Sequence, residues 1–264
     1  MSSRISKVFK SLRLNKRSAF IPYITAGDPD IELSQMLLES LPLGGADIIE
    51  IGMPFSDPMA DGPSIQESSL RSLNNGHDMN KTLMMIERFR VKNKETPIVL
   101  MGYFNPILQF GIKSFIKKCE EVGVDGLIVV DLPIEHSDEI CIPAQKSGID
   151  FINFITPTTN KERLKQILNV SSGFLYFVSI SGITGTKAPD NKIIEELVKN
   201  VKQNTDLPIG VGFGIKSSSQ VEEISDFSDA IVVGSAIVNK VYSLKIKNFD
   251  NDLIVKNMID FLLE

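Results

Sequence analysis

Glu50 is flanked by Ile48, Ile49 and Ile51, so the run that carries it reads as a strand buried on both faces. Burying an unpaired carboxylate is costly, and the usual response is a raised pKa that lets the group hold and deliver a proton near neutrality. The alternative is a glutamate paired with a buried cation or turned toward a helix. No Lys, Arg or His occurs in any of the strand-like segments, which weighs against that alternative. Asp61, between Ala60 and Gly62, stands eleven residues further on. Alone it reads as a turn aspartate, as does Asp57 before Pro58. What raises it is its place on Met53–Gly62 (MPFSDPMADG), a long loop with two prolines directly after the Glu50 segment. Two carboxylates in different surroundings can divide the work, one protonatable and the other ionised and accepting a hydrogen bond. Asp131, at the end of another apolar run, is a third candidate, with a cap of the turn at Leu132-Pro133 as its plainer reading.

Other chemistries lack their residues. A Schiff-base or pyridoxal enzyme needs a lysine near a strand end, and a zinc or iron enzyme needs imidazoles or clustered acids there. His77 and His136 lie in polar stretches and read as exposed turn or helix residues. Cys119 and Cys141 have no metal or disulfide spacing, which fits a reducing compartment and a cytoplasmic location. The net charge of −5 gives no nucleic-acid footprint, and no apolar run approaches the ~20 residues that cross a bilayer. Gly210–Gly214 (GVGFG) resembles a dinucleotide fingerprint only loosely.

Late in the chain, three successive strand ends carry glycine: Gly182-Ile183-Thr184-Gly185, Gly212-Phe213-Gly214 and Gly234-Ser235. Glycine lets backbone N–H groups approach an anion, and a helix opening after the last strand adds its positive end. Each could also be only a tight turn; together they suggest a phosphate site.

The elements that must hold these residues are eight short apolar segments: Phe20–Thr25, Ala46–Gly52, Pro97–Tyr103, Gly126–Asp131, Phe151–Thr156, Phe174–Ser179, Pro208–Phe213 and Ala230–Ser235. Helical stretches lie between them, among them Asn80–Val91, Ile112–Glu121, Lys192–Val201 and Ser217–Glu223, with a closing helix near Asp250–Leu263. Strand and helix alternating through all 264 residues predict one α/β domain, a (β/α)8 barrel, with a doubly wound sheet as the alternative. The longest gap follows the second strand and adds a helical insertion over Ile65–Leu73, placing Asp61 on the C-terminal face where barrel active sites lie. The first 17 residues hold six bases and no acid, as an organellar presequence would. Ile5, Val8, Phe9 and Leu12 nevertheless form one apolar stripe, which predicts an N-terminal structural helix.

Ala46–Gln66 (ADIIEIGMPFSDPMADGPSIQ) closely resembles the signature of the tryptophan synthase alpha chain family. Phe20–Pro29 (FIPYITAGDP), Met101–Pro106 (MGYFNP), Gly182–Gly185 (GITG), Gly212–Ile215 (GFGI) and Val233–Val238 (VGSAIV) match it in the same order. The resemblance implies retro-aldol cleavage of indole-3-glycerol phosphate to indole and glyceraldehyde 3-phosphate, with no metal and no cofactor in this chain. It implies Glu50 as the acid/base and Asp61 as the acceptor of the indole N–H, with Thr184 meeting Asp61 and Tyr176 near the glycerol chain. Gly185, Phe213, Gly214, Gly234 and Ser235 would hold phosphate, and Phe20 and Ile128 would wall the indole. It also implies a beta-chain partner carrying pyridoxal phosphate in an alpha2-beta2 heterotetramer, docked near Asp57, Pro58, Phe104, Asn105 and Pro133. Lys187 departs from the family, where arginine is common, and the loop after GITG is short. On sequence, two alternatives stay open: another phosphate-binding barrel of aromatic amino-acid synthesis, or a barrel that binds without catalysing.

Overall fold

Runs rich in Val, Ile and Phe, bounded by Gly, Asp or Pro, become short parallel strands, and helices carry the chain back to the same end each time. A computed structural model describes residues 3–178, 191–212 and 218–263. Its first half runs α1 (Arg4–Leu14), β1 (Ala19–Thr25), α2 (Ile31–Ser40), β2 (Ile49–Gly52), α3 (Pro63–Asn74), α4 (Met79–Lys92), β3 (Ile98–Gly102), α5 (Phe104–Phe110), α6 (Ile112–Val122) and β4 (Gly126–Val129). After a 3-10 turn at Ile134–His136 come α7 (Asp138–Lys146), β5 (Asp150–Phe151), β6 (Asn153–Ile155), α8 (Lys161–Val170) and β7 (Leu175–Val178). The remainder is α9 (Asn191–Lys202), β8 (Ile209–Gly212), α10 (Ser218–Ser225), β9 (Ala230–Val233), α11 (Ser235–Lys245) and α12 (Asn251–Leu263).

The strands form one parallel sheet in the order β5-β4-β3-β2-β1-β9-β8-β7-β6. Its two ends are consecutive in sequence, separated only by Ile152, so the sheet curls round as the expected α/β barrel. The fifth expected strand is thereby divided. Asp150 and Phe151 pair with β4, Asn153–Ile155 pair with β7, and the Ile152 N–H still donates to Leu127 O at 2.9 Å. The chain changes neighbours at that residue, which a run of apolar letters does not reveal. The insertion after the second strand is α3, as the pattern predicts.

Strand alternation sorts the core into two layers. Ala19, Ile21, Tyr23, Ile48, Val99, Met101, Ile128, Ile152, Tyr176, Ala230 and Val232 pack inside the barrel. Ile24, Ile49, Ile51, Ile98, Leu100, Leu127, Leu175, Val211 and Ile231 pack outward with residues of the helices. The stripe of α1 joins the inner layer through Ile5, Phe9 and Leu12, all buried, with Val8 partly buried beside them. Each such side chain contributes roughly 1.5–3 kcal/mol by leaving water. Ser3 caps α1 by accepting from Ser6 N at 3.1 Å. Arg4 is anchored to buried Asp125 at 2.8 Å, and Asp125 also binds Arg90 at 2.6 Å and the Ile98 N–H at 2.8 Å.

His77 corrects the sequence reading. It is 4% exposed, with Nε2 2.9 Å from Thr82 Oγ1, and lies under the turn at Gly27. Gly27 has φ +79°, and any Cβ there would strike the imidazole. The polar letters around His77 describe a turn that folds inward onto another turn. His136 is exposed, as expected.

Candidate active site

The four residues of β2 fix Glu50 by parity: Ile49 and Ile51 face the helices, so Glu50 faces the barrel interior with Ile48. It stands in register with Tyr23 on β1 and Val99 on β3. It is 1% exposed, and its Oε2 has no hydrogen-bond partner among the described residues. Burial first, and the neighbouring Asp61 anion second, push its pKa up to about 8.

Asp61 reaches the same space from the loop above. The Met53 N–H donates to Met101 O at 2.8 Å, prolonging the β2–β3 ladder by one step. Beyond it the chain turns twice, with Met59 N donating to Asp57 O at 2.9 Å and Asp61 N to Pro58 O at 3.0 Å. Gln66 Nε2 donates to Asp61 O at 2.8 Å, and α3 opens directly afterward with Gly62 as N-cap and Pro63 in its first turn. Burial raises the Asp61 pKa to about 6, opposed by a hydrogen bond from the Tyr103 hydroxyl. Near neutrality, then, Glu50 holds a proton and Asp61 is mostly ionised. Two neighbouring acids with separated titrations are the arrangement that acid/base chemistry needs.

Around them the walls are apolar and aromatic. Tyr176 is buried, its ring edge-on to Phe154 at 5.1 Å, and its hydroxyl pKa is pushed up by burial and then by Glu50. Ile65, Val130, Phe154 and Val178 are partly buried against the inner layer, to which Ile128 belongs. Gly52 and Gly212 leave room for tyrosine hydroxyls: a Cβ on either would collide with Tyr23 or Tyr176 respectively.

Phe20 does not join them. It lies on the outer face of β1, packed with the helix-side cluster, and the inward residue is Tyr23. A motif match places a residue on a strand but does not say which face it takes, and an odd step along the strand reverses the face. Tyr23, Met101, Tyr103 and Phe154 are site residues that the sequence analysis did not select. Strand parity counted from Glu50 and its register partner could have found Tyr23.

Of the expected phosphate residues, Gly234 and Ser235 are described. Gly234 is the N-cap of α11 with no side-chain cap, so the first N–H groups of that helix open at the C-terminal end of β9. Thr184, Gly185, Phe213 and Gly214 lie outside the described residues, as do Gly182 and Lys187.

The residues expected at a partner surface share the C-terminal end of the barrel. Asp57, Asn105 and Pro133 are exposed, and Pro58 and Phe104 are half-buried. Asp131 accepts from Phe104 N at 2.7 Å, so it secures the start of α5 on the neighbouring loop, not its own Leu132-Pro133 turn. Met59 is 70% exposed on the Asp61 loop.

The sequence pattern of one family, tryptophan synthase alpha chain, matches residues 9–258. A tryptophan synthase subunit alpha from Legionella pneumophila superposes with a TM-score of 0.92 at 36% identity, covering 100% of this chain and 97% of that one. A structure from Aquifex aeolicus gives a TM-score of 0.87 at 35% identity, over 99% of this chain and 100% of that one. Tryptophan synthase from M. tuberculosis, in its aminoacrylate-bound form, gives 0.86 at 31% identity over 99% and 98%. With the carboxylate pair already placed in such a barrel, this chain belongs to the tryptophan synthase alpha chain family.

Proposed function

We propose that this lyase cleaves indole-3-glycerol phosphate to indole and glyceraldehyde 3-phosphate, with Glu50 as the acid/base and Asp61 as the acceptor of the indole N–H. The observation that carries the reading is the inward carboxyl of Glu50, whose Oε2 has no partner among the described residues, protonated at neutral pH beside an Asp61 that is mostly ionised. Glu50 gives its proton to the ring carbon bearing the side chain, and positive charge develops on the ring nitrogen, where the Asp61 carboxylate accepts the N–H. The bond to the glycerol carbon then breaks and its electrons restore the neutral indole. The Glu50 carboxylate takes the proton of the glycerol hydroxyl, whose carbon becomes the aldehyde. Glu50 ends the cycle as it began, so the steps balance without an added oxidant or metal. Tyr23, Tyr176 and Phe154 supply flat apolar surface for the ring, and the open N-terminus of α11 suits the phosphate.

Indole released in this way would pass to a beta chain, whose pyridoxal phosphate completes tryptophan synthesis in an alpha2-beta2 assembly. Asp57, Pro58, Phe104, Asn105 and Pro133, gathered on neighbouring loops, are the residues we assign to that contact. The whole chain is taken as one barrel domain, acting in the cytoplasm. Among the described residues no helix is long and apolar enough to cross a membrane.

The test is indole release by purified protein with and without a beta chain. Turnover is expected to be slow alone and faster with the partner. Glu50→Gln should fold and lose at least about 10²-fold in kcat, the usual effect of removing a proton-transfer group. A Glu50→Gln protein with near-normal turnover would sink Glu50 as the acid/base. A wild-type complex that binds the substrate and releases no indole would instead favour a barrel that binds without catalysing.

A further inference from the structure

Tyr103, 2% exposed, sits immediately after β3, the strand adjacent to that of Glu50. Its hydroxyl oxygen accepts the Ala60 N–H at 3.0 Å, and its ring lies against Phe55 with centroids 5.3 Å apart. Both partners belong to the loop that delivers Asp61, one on each side of its bend. A phenol has a single proton to donate. Because the Ala60 contact uses only a lone pair, that proton remains available to the neighbouring Asp61 carboxylate, whose ionised form the hydroxyl favours. The base of Tyr103 is secured in turn, since the next residue, Phe104, donates its N–H to Asp131 at 2.7 Å.

We propose that Tyr103 is the positioning residue of the site: its hydroxyl clamps the Asp61 loop over Glu50 and holds Asp61 as a carboxylate able to accept the substrate's ring N–H. The proposal rests on the reading of Asp61 given above. Tyr103 touches the loop, and acts on the reaction through Asp61. Its own ionisation is suppressed by burial and then by Asp61, so it stays a donor throughout the working range. Removing the hydroxyl while keeping the ring against Phe55 leaves Asp61 with its burial and without its donor.

The experiment uses the full chain with Tyr103→Phe, and follows the Asp61 carboxyl by carbon-13 NMR of aspartate-labelled protein, its resonance assigned by its absence in Asp61→Asn. The Asp61 titration midpoint is expected to rise by about one pH unit, the scale of one hydrogen bond to a charged group. The acid limb of kcat/KM for indole release should rise with it. Activity near pH 6 should then fall by up to about tenfold, and much of the loss should be recovered by raising the pH. Loss of mere packing would depress activity equally at every pH. An unchanged Asp61 midpoint in Tyr103→Phe overturns the proposal even if Asp61 proves essential. Wild-type turnover by Asp61→Asn would overturn the functional reading of Asp61, and a midpoint that still moves would leave the Tyr103 clamp supported as a property of the fold.

Discussion

Tyr23 on β1 is the register partner of Glu50 on β2, yet its hydroxyl is engaged with Thr25 Oγ1 at 3.2 Å. Thr25 is bound in turn to Ser68 Oγ of α3 at 2.6 Å, and Ser68 donates to Ile65 O at 2.8 Å. The hydroxyl of this register partner is thus committed to holding α3 against the barrel. Glu50 Oε2 keeps no partner among the described residues, and the element that follows the Asp61 loop is fixed by the same chain of hydroxyls.

From the two carboxyls a bell-shaped pH profile is expected for kcat/KM. Below about 6 Asp61 gains a proton and can no longer accept the ring N–H. Above about 8 Glu50 loses the proton it must deliver. Initial rates of indole formation between pH 5 and 9.5 measure both limbs. A flat profile across that range would remove both assignments.

Glu50 also limits stability. Its folded pKa is raised above its ordinary 4.5, so the folded state binds the proton more tightly and loses stability as pH rises from about 4.5 through about 8. Glu50→Gln carries no charge to bury and should be more stable than wild type at pH 8, by on the order of 4 kcal/mol. The difference should shrink toward pH 4.5. Urea unfolding midpoints at the two pH values measure it; a variant less stable than wild type at pH 8 would contradict the argument.

His77 acts in the opposite sense. Burial lowers its folded pKa from 6.5 to about 4, so its contribution to stability is complete above pH 6.5 and is lost as pH falls toward 4. Nδ1 has no partner among the described residues that could receive the added proton. In the wild type, minus His77→Gln, the difference in unfolding free energy should decline by roughly 2 kcal/mol between pH 7 and pH 4.5. Denaturant titrations at those pH values provide the check, and a pH-independent difference would count against it.

The two aromatic residues of β1 should separate cleanly. Tyr23→Ala opens the inner wall beside Glu50 and should raise KM for indole-3-glycerol phosphate by roughly tenfold or more. Phe20→Ala, on the helix side, should lower stability by about 1–2 kcal/mol and leave KM within about twofold. Steady-state kinetics paired with urea unfolding distinguish them. A KM increase confined to Phe20→Ala would mean that the face assignment is reversed.

How much of this was legible beforehand differs from residue to residue. Glu50 could be read because a carboxylate between isoleucines in a cation-free strand has few other uses. α1 could be read because Ile5, Phe9 and Leu12 repeat at helical spacing. Asp61 was a turn residue until its loop was set beside the strand of Glu50. The run that holds Phe20 places it on β1 and does not record its face. The polar letters around His77 suggest exposure, but the tight turn at Gly27 makes room for a buried ring.

The sequence by itself determined the alternation of strand and helix, the long insertion after β2 and the acid that the barrel would bury. These are local consequences of side-chain type: periodicity, breakers and the cost of an unpaired charge in a core. Tertiary structure alone decided which face each strand residue takes, that the fifth strand changes neighbours at Ile152, and that Tyr103 meets Ala60 and Asp61 more than forty residues earlier in the chain. Those relations arise when the barrel closes, because register and curvature bring together groups whose separation along the chain carries no signal of their contact.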